Sequence, residues 1–239
     1  NQLNELDQAD VEFASNSSDE PAYLQFTSGS TRFPQGVVIS EHAIMSNLQG
    51  IVRSGLAVRN GDRCASWLPF YHDMGLVGFV LGPIVSQLSV DYIRTRDFAI
   101  RPLQWLRLIS RNMCTIAFSP PFGYELCARR VRESDFDELN LSSWRVAGVG
   151  AEMIRPSILK NFAKVLAPAG FNPSAFLPCY GLAEASLAAT FSPLGEGLDV
   201  MHIDALALAE RGVAVRVCSD NRKVNAIVNC GKPLPEHEI

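Results

Sequence analysis

Between residues 63 and 190 the chain alternates short apolar runs of strand character with longer stretches whose apolar residues recur at helical spacing. That alternation admits few folds. It predicts an α/β domain whose mostly parallel sheet is flanked by helices, because parallel neighbours need a crossover connection and a helix supplies it. Strands are expected at Arg63-Cys-Ala-Ser-Trp-Leu68, Val90-Asp-Tyr-Ile93, Thr115-Ile-Ala-Phe118, Trp144-Arg-Val-Ala-Gly148 and Ala175-Phe-Leu177. Helices are expected from Ser40, a good N-cap, to about Leu56, and across the uncharged stretch between Met74 and Val90. Further helices should run from Pro102 to about Arg111, from Pro121 to Arg132, and onward from Pro156. In the last of these, Ile158, Leu159, Phe162, Val165 and Leu166 share one face. Residues 1–21 read as a polar lead-in or linker and 22–239 as one partial domain. Beyond residue 194 the pattern weakens, and only strands at 213–217 and 226–228 are expected.

A chain of 239 residues with 47% hydrophobic and 19% charged residues can bury a sizeable core. Its net charge of −4, without a long basic run, argues against nucleic acid as a partner. The six cysteines are scattered, with no C-x-x-C pair, so free thiols are expected rather than a metal cluster or a disulfide framework. Asn1 to Asp7 has neither the basic nor the apolar region of a signal peptide. The stretch between Met74 and Val90 is short for a membrane span and interrupted by Gly75, Gly78, Gly82 and Pro83, so it reads as a buried helix. A cytoplasmic protein without a transmembrane segment is expected.

Chemistry concentrates in four loops. In Tyr23-Leu-Gln-Phe-Thr-Ser-Gly-Ser-Thr-Arg32 an apolar run meets four hydroxyl residues packed around Gly29 and then leaves through Gly36 into Val37-Val-Ile39. Small residues let the backbone approach an anion while hydroxyls add donors. The loop lacks the Gly-Lys-Ser/Thr and following helix of a Walker A motif, and reads equally as a bare hairpin turn. His72-Asp73 follows one expected strand, Gly150-Ala-Glu152 another, and Tyr180-Gly-Leu-Ala-Glu184 a third. Ligand sites of parallel sheets form at these carboxyl ends. Imidazole beside a carboxylate suits anion contact or acid–base work, an aromatic face suits a nucleobase, and a carboxylate suits Mg²⁺. Taken singly, each motif is also an ordinary turn.

Their order and spacing are more specific. They resemble the adenylate-forming superfamily of acyl-CoA synthetases, luciferases and peptide-synthetase adenylation domains. Thr27-Ser-Gly-Ser-Thr-Arg32, Trp67-Leu-Pro-Phe-Tyr-His-Asp-Met-Gly-Leu76, Leu141-Ser-Ser-Trp-Arg-Val146, Cys179-Tyr-Gly-Leu-Ala-Glu184 and Asn229-Cys-Gly-Lys-Pro-Leu-Pro235 look like fatty acyl-AMP ligases, across residues 22–239. The resemblance implies the core of a large N-terminal adenylation domain that uses ATP and Mg²⁺ to convert a fatty acid to an acyl adenylate. The acyl group would then pass to the phosphopantetheine thiol of an acyl carrier protein. Free coenzyme A as acceptor, or a non-catalytic adenylate-binding module, are the alternatives.

On that resemblance Thr27, Ser28, Gly29, Ser30 and Thr31 hold the β- and γ-phosphates. Gly150, Ala151 and Glu152 border the adenine, and Tyr180 stacks on it beside Gly181. Glu184 binds Mg²⁺, and His72 sits where the acyl carboxylate meets the α-phosphate. Apolar residues of the helix beginning near Met74 line the acyl tunnel. Two departures stand out: Gln35 replaces the Lys that many members carry in the phosphate loop, and Ala183 replaces the Thr of many acyl-CoA synthetases. The family's ribose-binding Asp and its small C-terminal domain with a catalytic Lys are not in this sequence, so a fragment of poor intrinsic activity is expected.

Overall fold

The structure, a computed structural model, describes residues 17–27, 33–218 and 223–238. It opens with an antiparallel pair, β1 (Pro21–Phe26) and β2 (Gly36–Ser40), in which Gln25 faces Val37 and Phe26 faces Gly36. Ser40 then caps α1 (Glu41–Gln49), its hydroxyl accepting from the Ala43 N–H, and the helix widens into a π-helical stretch at Gly50–Gly55.

A seven-stranded sheet forms the centre. Its spatial order is β11 (Lys232–Pro233), β8 (Ala188–Phe191), β7 (Phe176–Gly181), β6 (Val146–Val149), β5 (Ile116–Ser119), β3 (Arg63–Ser66), β4 (Ser89–Tyr92). The five strands from β7 to β4 are parallel, and β8 and β11 add antiparallel neighbours at one edge. Every residue of β5 and β6 is buried, as expected of central strands covered on both faces.

Alternation along the strands separates two unlike compartments. On one face lie α5 (Leu103–Arg111), α6 (Pro121–Arg130) and α7 (Pro156–Leu166). Here Trp105, Tyr124, Trp144 and Phe162 are fully buried and meet mostly edge-on, with ring centroids 5.1 Å apart for Trp105–Trp144 and for Tyr124–Phe162. Phe171 and Phe176 extend the cluster, while Trp67 stacks on Phe98 at 3.9 Å. On the other face, Ile116 and Phe118 of β5 and Cys64 of β3 look into a cavity. Glycine is required at Gly148 of β6, where a Cβ would fall 2.0 Å from the Phe118 ring.

Three helical pieces cover that second face: α1 with its π extension, then α2 (Asp73–Leu76), which runs through a π-helical stretch at Val77–Leu81 into α3 (Gly82–Ser86). The expected helix from Met74 is therefore present, and Gln87 ends it in the left-handed region at φ 55°. Among the described residues no helix is long and apolar enough to cross a membrane. All six cysteines are free thiols.

Several expectations need correction. α4 (Thr95–Ile100) was not anticipated; Phe98 alone of its residues is buried, so the periodic signal is weak. β7 runs on to Gly181, so residues 178–181, expected in a loop, belong to a strand paired with β8. The strand expected near 144 starts later, at Val146, because Trp144 and Arg145 are committed to the core and to a side-chain cluster below. β9 (Val200–Asp204) and α8 (Ala205–Arg211) lie where no element had been assigned. The 213–217 strand reduces to an isolated bridge between Ile203 and Arg216, whereas β10 (Val224–Val228) pairs with β9 as a full ladder. Of the lead-in, residues 1–16 lie outside the described residues.

Candidate active site

A cavity of about 1030 Å³ opens at the carboxyl ends of the parallel strands and runs down the sheet toward their amino ends. Its mouth collects Thr27, Tyr71, His72, Ala151, Tyr180 and Glu184. Its depth is lined by Ile51, Leu56 and Val58 from the α1 side, Phe79 and Leu88 from the α2–α3 side, and Ile116 and Phe118 from the sheet. The mouth is polar and aromatic, whereas the depth is almost wholly apolar.

Thr27 closes the base of the hydroxyl loop. Its backbone N–H donates to the Gln35 carbonyl at 2.9 Å and its Oγ1 accepts from the Gln35 N–H at 3.1 Å. Accepting that bond leaves the Thr27 hydroxyl proton to donate, and among the described residues nothing accepts it. Ser28, Gly29, Ser30 and Thr31, the rest of the expected phosphate loop, lie outside the described residues.

His72 and Asp73 stand together at the start of α2, following β3. Asp73 Oδ1 lies 2.6 Å from His72 Nδ1 and accepts from the Met74 N–H at 2.7 Å, and the same N–H also reaches Nδ1 at 3.2 Å. In the cationic ring Nδ1 donates to Asp73, and no described residue bonds Nε2. The hydrogen bond to Asp73 raises the imidazole pKa above its ordinary 6.5; burial opposes the rise and the Asp73 charge adds to it. A ring nitrogen observed by NMR titration should therefore show His72 titrating above 6.5 in the native protein and falling back in Asp73→Asn. Equal values in the two proteins would refute the pairing. The sign for stability follows: folding favours the cationic ring, so its contribution is complete below about 6.5 and fades as pH rises through the folded value. Burial, and then the Asp73 charge, push the neighbouring Tyr23 hydroxyl up to about 12.

The Gly150-Ala-Glu152 turn divides. Ala151 lines the cavity and holds φ at 67°, a left-handed conformation uncommon for a residue with a Cβ. Gly150 instead packs against Cys179 and does not line the cavity. Glu152, expected at the adenine rim, turns away: its Oε1 accepts from the Phe122 N–H at 3.1 Å, in the first turn of α6. A helix amino end attracts a carboxylate, and the open cavity offers Glu152 no such partner.

Tyr180 and Glu184 belong to the β7–β8 hairpin. Its tip is a 3-10 turn at Ala183–Ala185, closed by the Leu182 N–H donating to the Leu187 carbonyl, with Ser186 at φ 67°. Tyr180 is half exposed at the mouth and Glu184 is exposed beside it. No described residue bonds the Glu184 carboxylate. An unpartnered hard oxygen donor facing a cavity fits a magnesium ion that keeps its own waters and phosphate oxygens. Gly181 lies at a register shift in the ladder, where a Cβ would come within 1.9 Å of the Leu187 carbonyl oxygen. Backbone cannot swing aside as a side chain can. Gly181→Ala should cost about 1–3 kcal/mol of stability in urea titration and displace Tyr180 and Glu184 together. An unshifted midpoint would show that the hairpin absorbs the methyl group.

The family described as AMP-binding enzyme matches residues 2–239. The chain belongs to that family. A protein of Caulobacter vibrioides that carries an acyl-CoA synthetase name is 49% identical over 219 residues, covering 92% of this chain and 38% of its own length. A medium-chain-fatty-acid–[acyl-carrier-protein] ligase of Moorena producens is 36% identical over 218 residues, covering 91% and 37%. A solved structure from work on fatty acyl-adenylate ligases of E. coli and L. pneumophila is 54% identical with a TM-score of 0.92, covering all of this chain and 43% of that one. The chain thus spans less than half the length of the relatives it matches. The mostly parallel sheet and its flanking helices bear out the strand–helix alternation, and they are those of an AMP-binding enzyme's N-terminal domain, as the motif resemblance had implied.

In this member of the AMP-binding family, the sequence motifs had pointed to His72, Thr27, Tyr180 and Glu184, and all four line one cavity. Gln25 and Tyr71 were missed. Gln25 is a buried amide whose Nε2 donates to the Tyr71 carbonyl at 3.4 Å, tying β1 to the His72 loop. A polar amide inside the apolar run Tyr23-Leu-Gln-Phe26 was the available signal.

Proposed function

We propose that this chain is the nucleotide- and acyl-binding portion of an enzyme that activates a fatty acid with ATP. The observation that carries the reading is the single cavity with a polar mouth and an apolar depth, sized for more than a nucleotide. In the reaction a carboxylate oxygen of the fatty acid attacks the α-phosphorus of ATP. The bond from that phosphorus to the bridging oxygen of the β-phosphate breaks, and pyrophosphate leaves with the electron pair. The nucleophile is the substrate itself, so the protein's work is positioning and neutralisation of charge.

His72, as the cation that Asp73 favours, donates from Nε2 to oxygens gathering negative charge where carboxylate and α-phosphate meet. Thr27 Oγ1 donates to a departing phosphate oxygen, and Ser28, Gly29, Ser30 and Thr31 continue that cradle. Tyr180 stacks on the adenine, with Ala151 and Gly181 beside it. Glu184 would hold Mg²⁺, which when bound offsets phosphate charge. The apolar depth takes the hydrocarbon chain and excludes water.

The acceptor we favour is the thiol of an acyl carrier protein, supported by the Moorena producens relative. Free coenzyme A is the second reading, supported by the name of the Caulobacter vibrioides relative. Fatty-acid-dependent exchange of labelled pyrophosphate into ATP by the full-length protein tests the activation step. Nucleotide binding without exchange, for every fatty acid offered, would leave a non-catalytic adenylate-binding module instead. Single-turnover transfer to a phosphopantetheinylated carrier, compared with free coenzyme A, separates the two acceptors.

A further inference from the structure

The amino ends of the parallel strands, far from the mouth, carry a buried ion pair that the proposed chemistry does not use. Asp62 has a side chain only 1% exposed, and its carboxylate is gripped by the Arg145 guanidinium, with Nε donating to Oδ1 at 2.8 Å and Nη2 to Oδ2. The Thr115 hydroxyl donates to Oδ1 at 2.7 Å, and the Arg59 N–H donates to Oδ2 at 2.9 Å. Burial works against the charge on Asp62, but the bonds from Arg145, Arg59 and Thr115 outweigh it and lower the carboxyl pKa. This is a carboxylate with full partners.

The same guanidinium reaches further. Arg145 Nη1 donates to the Leu56 carbonyl at 3.1 Å and Nη2 to the Ala57 carbonyl at 3.2 Å. Ala57 sits at φ 41°, a left-handed conformation that a residue with a Cβ adopts only when its surroundings impose it. Leu56 and Val58, on either side of this strained residue, line the apolar cavity. Cys64 lies near the amino end of β3 and pairs with Ile116 at the start of β5, while Leu88 immediately precedes β4, and all three also line it. The turn at 56–62 therefore closes the cavity at the end of the sheet opposite His72, Ala151 and Tyr180.

We propose that the Asp62–Arg145 pair is a latch that holds the floor of the cavity, so that Arg145 sets the longest fatty acid chain the enzyme accepts. The proposal rests on the acyl-activation reading, in which the hydrocarbon points away from His72 toward Val58 and Leu88. Arg145 touches neither substrate nor reacting atoms; it is a positioning residue that acts through the carbonyls of Leu56 and Ala57. A guanidinium is suited to the task because its planar fork serves a carboxylate and two carbonyls at once, which an ammonium cannot match. Freed of that grip, the strained turn relaxes and the floor moves outward.

The test measures kcat/KM for pyrophosphate exchange by the full-length protein with octanoate, dodecanoate, hexadecanoate and octadecanoate. In Arg145→Met the ratio of the longest to the shortest substrate should rise by roughly tenfold, the scale on which apolar pockets discriminate a methylene or two. Arg145→Lys, which keeps the charge and is the more conservative exchange, should shift the ratio the same way by less. Val58→Trp, which leaves the latch intact and raises the floor, should shift it in the opposite direction. A merely structural role would lower all four values together without changing their ratio. If folded Arg145→Met and Arg145→Lys keep the wild-type chain-length profile, the latch is overturned while fatty acid activation stands. If wild type exchanges with no fatty acid, the activation reading and the latch fall together. Should Arg145→Met not fold, the Arg145→Lys ratio decides the latch alone, with Val58→Trp as the control that the floor limits the chain.

Discussion

Glu184→Ala is expected to reduce fatty-acid-dependent pyrophosphate exchange by about 10²–10³-fold, the cost typical of losing one preorganised electrostatic group from a reacting centre. The fold should not notice. The Glu184 side chain is exposed at the tip of the β7–β8 hairpin and makes no hydrogen bond or ion pair with a described residue. Surface substitutions of that kind stay within about 0.5 kcal/mol of the parent. Loss of exchange at an unchanged melting temperature would therefore report on charge at the mouth and not on folding. Raising the magnesium concentration should recover part of the loss in Glu184→Gln, whose amide oxygen remains a weak ligand. Exchange within about threefold of wild type would remove Glu184 from the metal site.

Trp105→Ala should have the largest effect on stability, about 3–5 kcal/mol, a cost typical of truncating a fully buried tryptophan. Trp105 touches Trp67, Phe98, Tyr124 and Trp144, so its loss leaves a hole bordered by rigid rings that cannot close by changing rotamer. Domains of this kind are stable by only about 5–15 kcal/mol, and a loss on that scale shifts the urea midpoint visibly. Because Tyr124 also donates to the Gly148 carbonyl at 2.8 Å, loosening this cluster should reach the turn that carries Ala151. A midpoint unchanged in Trp105→Ala would mean that the cluster repacks, against the close packing of the rings.

The sequence revealed the parts of the fold where burial and local preference agree. β5, apolar up to its last residue Ser119, and β6, apolar throughout, are enclosed on both faces, α7 carries a continuous apolar stripe, and Ser40 is a strong helix start, so all were legible. β8 and β9 were not: β8 is an Ala-Ala-Thr-Phe run after an Ala-rich turn, which favours helix as readily as strand, and β9 finds its partner β10 only beyond α8. The end of β7 was hidden by Pro178 and Gly181, residues that ordinarily mark loops but here occupy a strand and a register shift beside the cavity. Site residues were legible as motifs, and their convergence followed from the rule that parallel strands gather ligands at their carboxyl ends. Glu152 shows the limit of that reading. Whether a carboxylate at a strand end faces a ligand or a helix depends on which donors lie within reach, and the Phe122 N–H comes from a segment 30 residues away.

The sheet also sets a mechanical asymmetry between its two faces. One side is packed solid with aromatic rings, and the other borders a cavity of about 1030 Å³ that is open at its mouth. Close-packed rings leave little room to deform, so changes of shape fall to the π-helical walls on the cavity side. A ligand that binds there only in the folded state adds stability by mass action, and it should stiffen that side alone.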